Sequence, residues 1–65
     1  MTPAEYRAAL ATLGLSQLAA GRWLGVSNKT AQNYATVGPS GPAARAIRML
    51  LRLSPEERVK ALTED

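Results

Sequence analysis

The chain has 65 residues, a formal net charge of +3, no cysteine and no histidine. That length fits one domain, which buries only a modest share of its surface. The inventory excludes disulfides and thiol chemistry, and it removes both the usual general base and the commonest metal ligand. No apolar run approaches the ~18 residues of a membrane span, and the opening MTPAEYRAAL has no basic stretch leading into an apolar one. No secretory signal, cofactor or membrane contact is therefore expected, and the expected location is the cytoplasm.

The punctuation predicts five short helices and no strand. The first starts at Thr2, with Pro3 in the first helical position and Glu5 three residues after the cap. This is a capping box with the favoured proline. Tyr6, Ala9, Leu10 and Leu13 then repeat at helical spacing on one face, and Gly14 ends the helix. The second helix runs from Ser16 to Leu24 and stops at Gly25. The third opens at Ser27 and reaches about Thr36, where Gly38 and Pro39 break the chain.

GPSGP, residues 38–42, reads as a loop, with Pro42 able to open a fourth helix over Ala43 to Leu53. Its apolar side is Ile47, Leu50 and Leu51. Arg45, Arg48 and Arg52 form a separate basic side. A fifth helix starts at Ser54 with SPEE, a second capping box with proline, and carries Val59 and Leu62. One domain over residues 1–65 follows, all-α, a compact bundle of about five short helices.

The acids are Glu5, Glu56, Glu57, Glu64 and Asp65, all near the two ends. Between Glu5 and Glu56 the only charges are Arg7, Arg22, Lys29, Arg45, Arg48 and Arg52. A segment with one sign of charge repels itself unless its partner is an anion. The helix starts repeat the contrast. The first and fifth have Glu three residues after the cap, whereas the second, third and fourth have Ala19, Thr30 and Arg45 in their first turns and no acid. A helix N-terminus without a carboxylate offers backbone N–H groups and partial positive charge, which suits phosphate.

Residues 16–36 form the helix-turn-helix core of this reading: two helices joined by a short glycine-containing turn, the second polar on its outer side. Gln17, Gly21, Leu24-Gly25-Val26-Ser27, Thr30, Ala31 and Tyr34 carry the spacing. On these residues the chain resembles the phage repressor and Cro family, the Xre-type helix-turn-helix proteins, along nearly its whole length. The resemblance implies a lambda-repressor-like DNA-binding domain. A glycine inside a helix costs about 0.5–1 kcal/mol against alanine, so Gly21 is expected where the third helix crosses the second closely. Val26 is expected to pack inward, Ser27 to cap, and Tyr34 to fill the core with its hydroxyl at the surface. The chain departs from the family pattern at Ala20 and Ala31, where larger apolar residues are usual. It also departs at Leu18, usually polar and here expected to be exposed, and at Ala35, often Glu.

The resemblance implies sequence-specific binding of double-stranded DNA, in the manner of a small bacterial or phage transcriptional repressor, with the third helix in the major groove. Asn28, Lys29, Gln32 and Asn33 are the expected base-reading residues. Asn and Gln pair with adenine and Lys reaches guanine acceptors. Gln17, Ser27, Thr30, Ser40, Gly41 and Arg45 are the expected phosphate contacts, while Arg48 and Arg52 serve equally well as a solvated stripe. Trp23 is expected to pack on a neighbouring helix. A homodimer is expected, with Leu53, Val59 and Leu62 at or near its contact.

The alternative is a helix-turn-helix that binds protein, as an adaptor or antitoxin-like subunit, through exposed Leu18 and Trp23 or the C-terminal apolar residues. Catalysis is not expected. The carboxylates sit at the ends, no glycine-rich phosphate loop or metal-ligand cluster occurs, and nothing organises Ser27 and Lys29 as nucleophile and base.

Overall fold

Every helix opens on a hydroxyl residue, and the caps set the bounds. The structure, a computed structural model, describes residues 1–63; the terminal acids Glu64 and Asp65 lie outside the described residues. The helices are α1 (Pro3–Leu13), α2 (Gln17–Leu24), α3 (Asn28–Thr36), α4 (Gly41–Arg52) and α5 (Pro55–Thr63), with no strand among the described residues. None is long and apolar enough to cross a membrane.

Thr2 and Glu5 form the reciprocal capping box of α1, and Ser54 and Glu57 form that of α5. Gly14 and Gly25 end α1 and α2 in the left-handed conformation, with φ of 70° and 78°. Both bounds of the fourth helix differ from the sequence reading of Ala43 to Leu53. α4 starts at Gly41, because Ser40 accepts the Ala43 N–H at 3.3 Å and caps the helix inside what reads as loop. It ends at Arg52, with Leu53 as the C-cap.

α3 packs chiefly on α2 and then on α1, while α4 packs on α1 and carries α5. The core is Tyr6, Ala9 and Leu10 of α1, Ala20 of α2, Ala35 of α3, and Ile47 and Leu50 of α4. Six of the ten buried apolar residues are alanines, which lets helices approach closely around the larger Tyr6, Leu10, Ile47 and Leu50. Tyr6, not Tyr34, is the fully buried aromatic. Tyr34 is half-buried and meets Tyr6 edge-on, ring centroids 6.0 Å apart.

α5 has no buried residue. Polar side chains hold it in place. Arg58 forks onto the last carbonyls of α4, its Nε donating to Leu50 O at 3.1 Å and its Nη2 to Leu51 O at 2.8 Å. The Trp23 indole N–H donates to Ala61 O at 3.1 Å. Arg7 does for α3 what Arg58 does for α4, its guanidinium donating to the carbonyl of Ala35. Both arginines complement the negative end of a helix.

Candidate nucleic-acid interface

The unit that presents the candidate site is α2, the three-residue turn Gly25–Ser27, and α3. Its tightest point is Gly21. A Cβ built there lies 2.5 Å from the Ala31 Cβ and 3.6 Å from Val26 Cγ2, so the third helix crosses the second where only glycine leaves room. Ala31 is fully buried against it, which explains why no larger apolar residue stands at that position. Ala20 is likewise fully buried, and Leu18 is 41% exposed, as expected of it.

With Ala31 and Ala35 buried, the other side of α3 is fixed. Asn28, Lys29, Gln32 and Asn33 are all exposed and fall within an arc of about 140° at 100° per residue. They form one continuous strip of donors and acceptors with a single cation. Thr30 stands at its edge, half-buried, where the Ser27 hydroxyl donates to its Oγ1 at 3.0 Å. Tyr34 closes the C-terminal end of α3, and its hydroxyl lies 3.3 Å from Ser40 Oγ, so the start of α4 abuts α3.

The N-termini behave in two ways. In α1 the Glu5 carboxylate takes the Thr2 N–H at 2.7 Å. Those hydrogen bonds from Thr2, with the N-terminal charge and Arg48, hold the Glu5 carboxyl below its ordinary value despite a small opposing effect of burial. In α2, α3 and α4 the only side-chain cap is serine: Ser16 accepts from Ala19 N–H at 3.0 Å, Ser27 from Thr30 N–H at 3.2 Å, and Ser40 from Ala43 N–H at 3.3 Å. None has an acid in its first turn. Each serine serves the third amide, which leaves the first two without an intrahelical partner. The three ends are not equal. α2 offers the amides of Gln17 and Leu18 and α3 those of Asn28 and Lys29, but α4 offers only that of Gly41, because Pro42 has no N–H.

Among the remaining cations, Arg22, Arg45, Arg48 and Arg52 are exposed. Arg7 is not a free cation for a ligand, because its guanidinium is engaged by the end of α3. Trp23 packs on α5 as expected and is half-buried there. Leu53 and Leu62 are half-buried against their own chain's core, which leaves Val59, at 61% exposure, as the open member of that trio. Sequence reasoning missed Ser40 as a cap and Arg7 and Arg58 as carbonyl donors. The Ser-x-x-Ala pattern before Ala43 was available for the first, while the other two depend on pairs 28 and 7 or 8 residues apart.

No family model matches the chain, and no curated protein or solved structure is significantly similar to it. The class defined by the coordinates is therefore that of a small all-helical bundle.

Proposed function

We propose that the protein binds double-stranded DNA in a sequence-specific way and acts as a small transcriptional repressor of bacterial or phage type. α3 enters the major groove, where Asn28, Lys29, Gln32 and Asn33 read base edges; Gln32, expected to stand slightly aside, falls between Asn28 and Lys29 in that strip. Gln17, Ser27, Thr30, Ser40, Gly41 and Arg45 hold the phosphates through backbone N–H groups, hydroxyls, an amide and a guanidinium. The chain acts as a two-fold dimer on a palindromic site, with half-sites about 34 Å apart. No cofactor takes part.

The reading is carried by one contrast: the exposed polar strip of α3 belongs to a run of three helix starts with no carboxylate, while the first turns of α1 and α5 carry Glu5 and Glu56 with Glu57. A solvated surface gains from acids at helix starts. A surface that meets phosphate loses by them.

Selection of bound sites from a random duplex library, followed by binding at several salt concentrations, tests the reading. The expected result is an enriched palindrome whose affinity falls steeply with salt. Failure to enrich any sequence, together with no retention on heparin, ends it. Sedimentation of a monomer both free and on an asymmetric site removes the dimer alone.

A further inference from the structure

Along the flank of α4 that faces α2 and α5 lies an apolar groove that the DNA reading does not use, with Arg52 at its edge. It has a volume of about 430 Å³ and is lined by Trp23 of α2, Ala46, Met49 and Leu50 of α4, Leu53 at its end and Ala61 of α5. Arg52 is its one charged lining residue. Met49 is 60% exposed and adjoins the other apolar lining residues, so it extends a continuous apolar surface rather than standing singly. The Trp23 N–H is already bonded to Ala61 O, so the groove offers almost no hydrogen-bonding groups and attracts apolar surface. Arg45 and Arg48 join Met49 and Arg52 along the adjoining shelf of α4.

The charge of this rim selects the occupant. A second copy laid on it across a two-fold axis brings Arg52 and the neighbouring arginines of the shelf towards their own counterparts, which repel. The chain's own described acids do not answer them in trans: Glu5 is held by Thr2, Glu57 is held by Ser54, and Glu56 stands alone in the first turn of α5. Nucleic acid matches the charge but has no apolar ridge to fill the groove. We infer that this groove docks an amphipathic helix of another protein, with its apolar side against Trp23, Met49 and Leu53 and its flanking acids on Arg48 and Arg52. Helix-in-groove recognition uses apolar anchors at i, i+3, i+4 and i+7, and methionine adapts to such ridges. This inference stands independently of DNA binding.

Trp23 is the only tryptophan and lines the groove, so its emission reports occupancy. The full chain is titrated with a synthetic amphipathic peptide of roughly 18 residues, leucine on one face and glutamate elsewhere, long enough to form a helix. A version with lysine for glutamate and a scrambled version serve as controls. The expected result is a saturable change in Trp23 emission with the acidic peptide alone. Affinity falls about tenfold in Met49→Asp and in the Arg48→Glu/Arg52→Glu double variant, which in turn binds the lysine peptide. Circular dichroism checks that the variants are folded, and Met49→Gln repeats the test should Met49→Asp unfold. Equal binding of the lysine or scrambled peptide, no saturable change, or affinity indifferent to all these variants overturns the proposal. So does concentration-dependent self-association that Met49→Gln abolishes, because a second copy then covers the groove. DNA affinity is measured in parallel on the parent and on Met49→Gln and is expected to be equal. A parent that binds the peptide but no DNA sinks the DNA reading and leaves this one standing.

Discussion

α1 and α3 are built from the same opening move and put it to different use. Both begin on a hydroxyl cap that takes the third amide, Thr2 for α1 and Ser27 for α3. α1 adds Glu5, which folds back on the Thr2 N–H and closes the end electrically, and it then buries Tyr6, Ala9 and Leu10. α3 adds no acid, buries only Ala31 and Ala35, and turns Asn28, Lys29, Gln32 and Asn33 outward. Capping geometry and capping charge are thus separable. The hydroxyl is enough to start a helix, and the carboxylate decides what the helix end then attracts. α1 spends its length on the core, whereas α3 spends its length on a surface.

The largest expected effect strikes the joint that lets α3 present that surface. Gly21→Val puts a branched side chain where even one Cβ lies 2.5 Å from the Ala31 Cβ. Overpacking costs about 1–3 kcal/mol, and a small domain loses roughly 4–8 °C of melting temperature per kcal/mol. Thermal unfolding followed by circular dichroism is expected to show a fall of about 10 °C or complete unfolding. An unchanged melting curve means that α2 and α3 do not cross at Gly21.

The next effect separates reading from holding within the surface itself. Asn33→Ala and Lys29→Ala are expected to cost about 1–3 kcal/mol on the selected duplex, with Asn33→Ala leaving scrambled DNA and the salt slope unchanged. Arg45→Ala is expected to weaken both duplexes alike and to flatten log affinity against log salt by roughly one unit. Lys29→Ala shows both behaviours, because it also carries charge. Equal losses for Asn33→Ala on both duplexes mean that α3 does not read sequence.

Moving the carboxylate from one kind of helix to the other is the direct test of the contrast. Ala19 occupies in α2 the place that Glu5 occupies in α1, three residues after a hydroxyl cap. Ala19→Glu completes a capping box there and is expected to raise folding stability by about 0.3–1 kcal/mol. The same change sets a carboxylate against the expected phosphate and is expected to lower affinity for specific and random DNA about tenfold. Opposite signs in melting temperature and DNA affinity support the separation of cap from charge, and a variant that gains stability with no loss of affinity breaks it.

Much of this was legible in the chain itself. Thr2-Pro3-Ala4-Glu5 and Ser54-Pro55-Glu56-Glu57 predict their helices, and Gly14, Gly25 and Gly21 mark two ends and a crossing, because these signals act within four residues or demand glycine outright. The exposed strip of α3 follows from periodicity. The two buried alanines of α4, Ala43 and Ala44, were not legible, since its first turn opens on the second of two Gly-Pro pairs and reads as loop. Nor was the choice of Tyr6 over Tyr34 as the central aromatic. Both stand at apolar positions, and only the assembled packing decides which is enclosed. The carbonyl-binding roles of Arg7 and Arg58 escaped for the same reason: a cation in sequence looks free until the helix end it reaches is in place.

Tyr6 also marks a cost inside α1. Its hydroxyl is buried and has no hydrogen-bond partner. Burial, with a smaller effect of Tyr34, raises its pKa above the ordinary 10.0. An unpaired buried polar group costs about 1–3 kcal/mol. Tyr6→Phe keeps the ring against Tyr34 and is expected to raise the melting temperature by several degrees, roughly 4–8 °C per kcal/mol gained. The proton-bound form is favoured in the fold, so this residue's contribution is present below pH 10.0 and fades as pH rises through the higher folded value. Tyr6→Phe is therefore also expected to flatten the alkaline limb of stability, and a variant that melts lower than the parent means that the hydroxyl has a partner after all.

The smallest effect lies at the exposed end of the same helix, where the α1 carboxylate can be titrated in place. Thr2's hydrogen bonds hold the Glu5 carboxyl below its ordinary value of 4.5, with further help from the N-terminus and Arg48. A depressed folded pKa means that the ionised form is favoured in the fold. Its contribution is then fully present above about 4.5, the unfolded value, and is lost as pH falls through the lower folded value. Glu5→Gln keeps a side chain able to accept the Thr2 N–H but removes the charge. The melting temperatures of parent and Glu5→Gln are expected to differ slightly at neutral pH and to converge as pH drops below 4.5, with the parent the more stable where they differ. Ala19→Glu is expected to import the same acid-sensitive step into α2, so its gain in stability over the parent shrinks across the same range. A gain that survives full protonation belongs to added packing by the longer side chain, and the electrical distinction between the outer and inner helix starts then fails for α2.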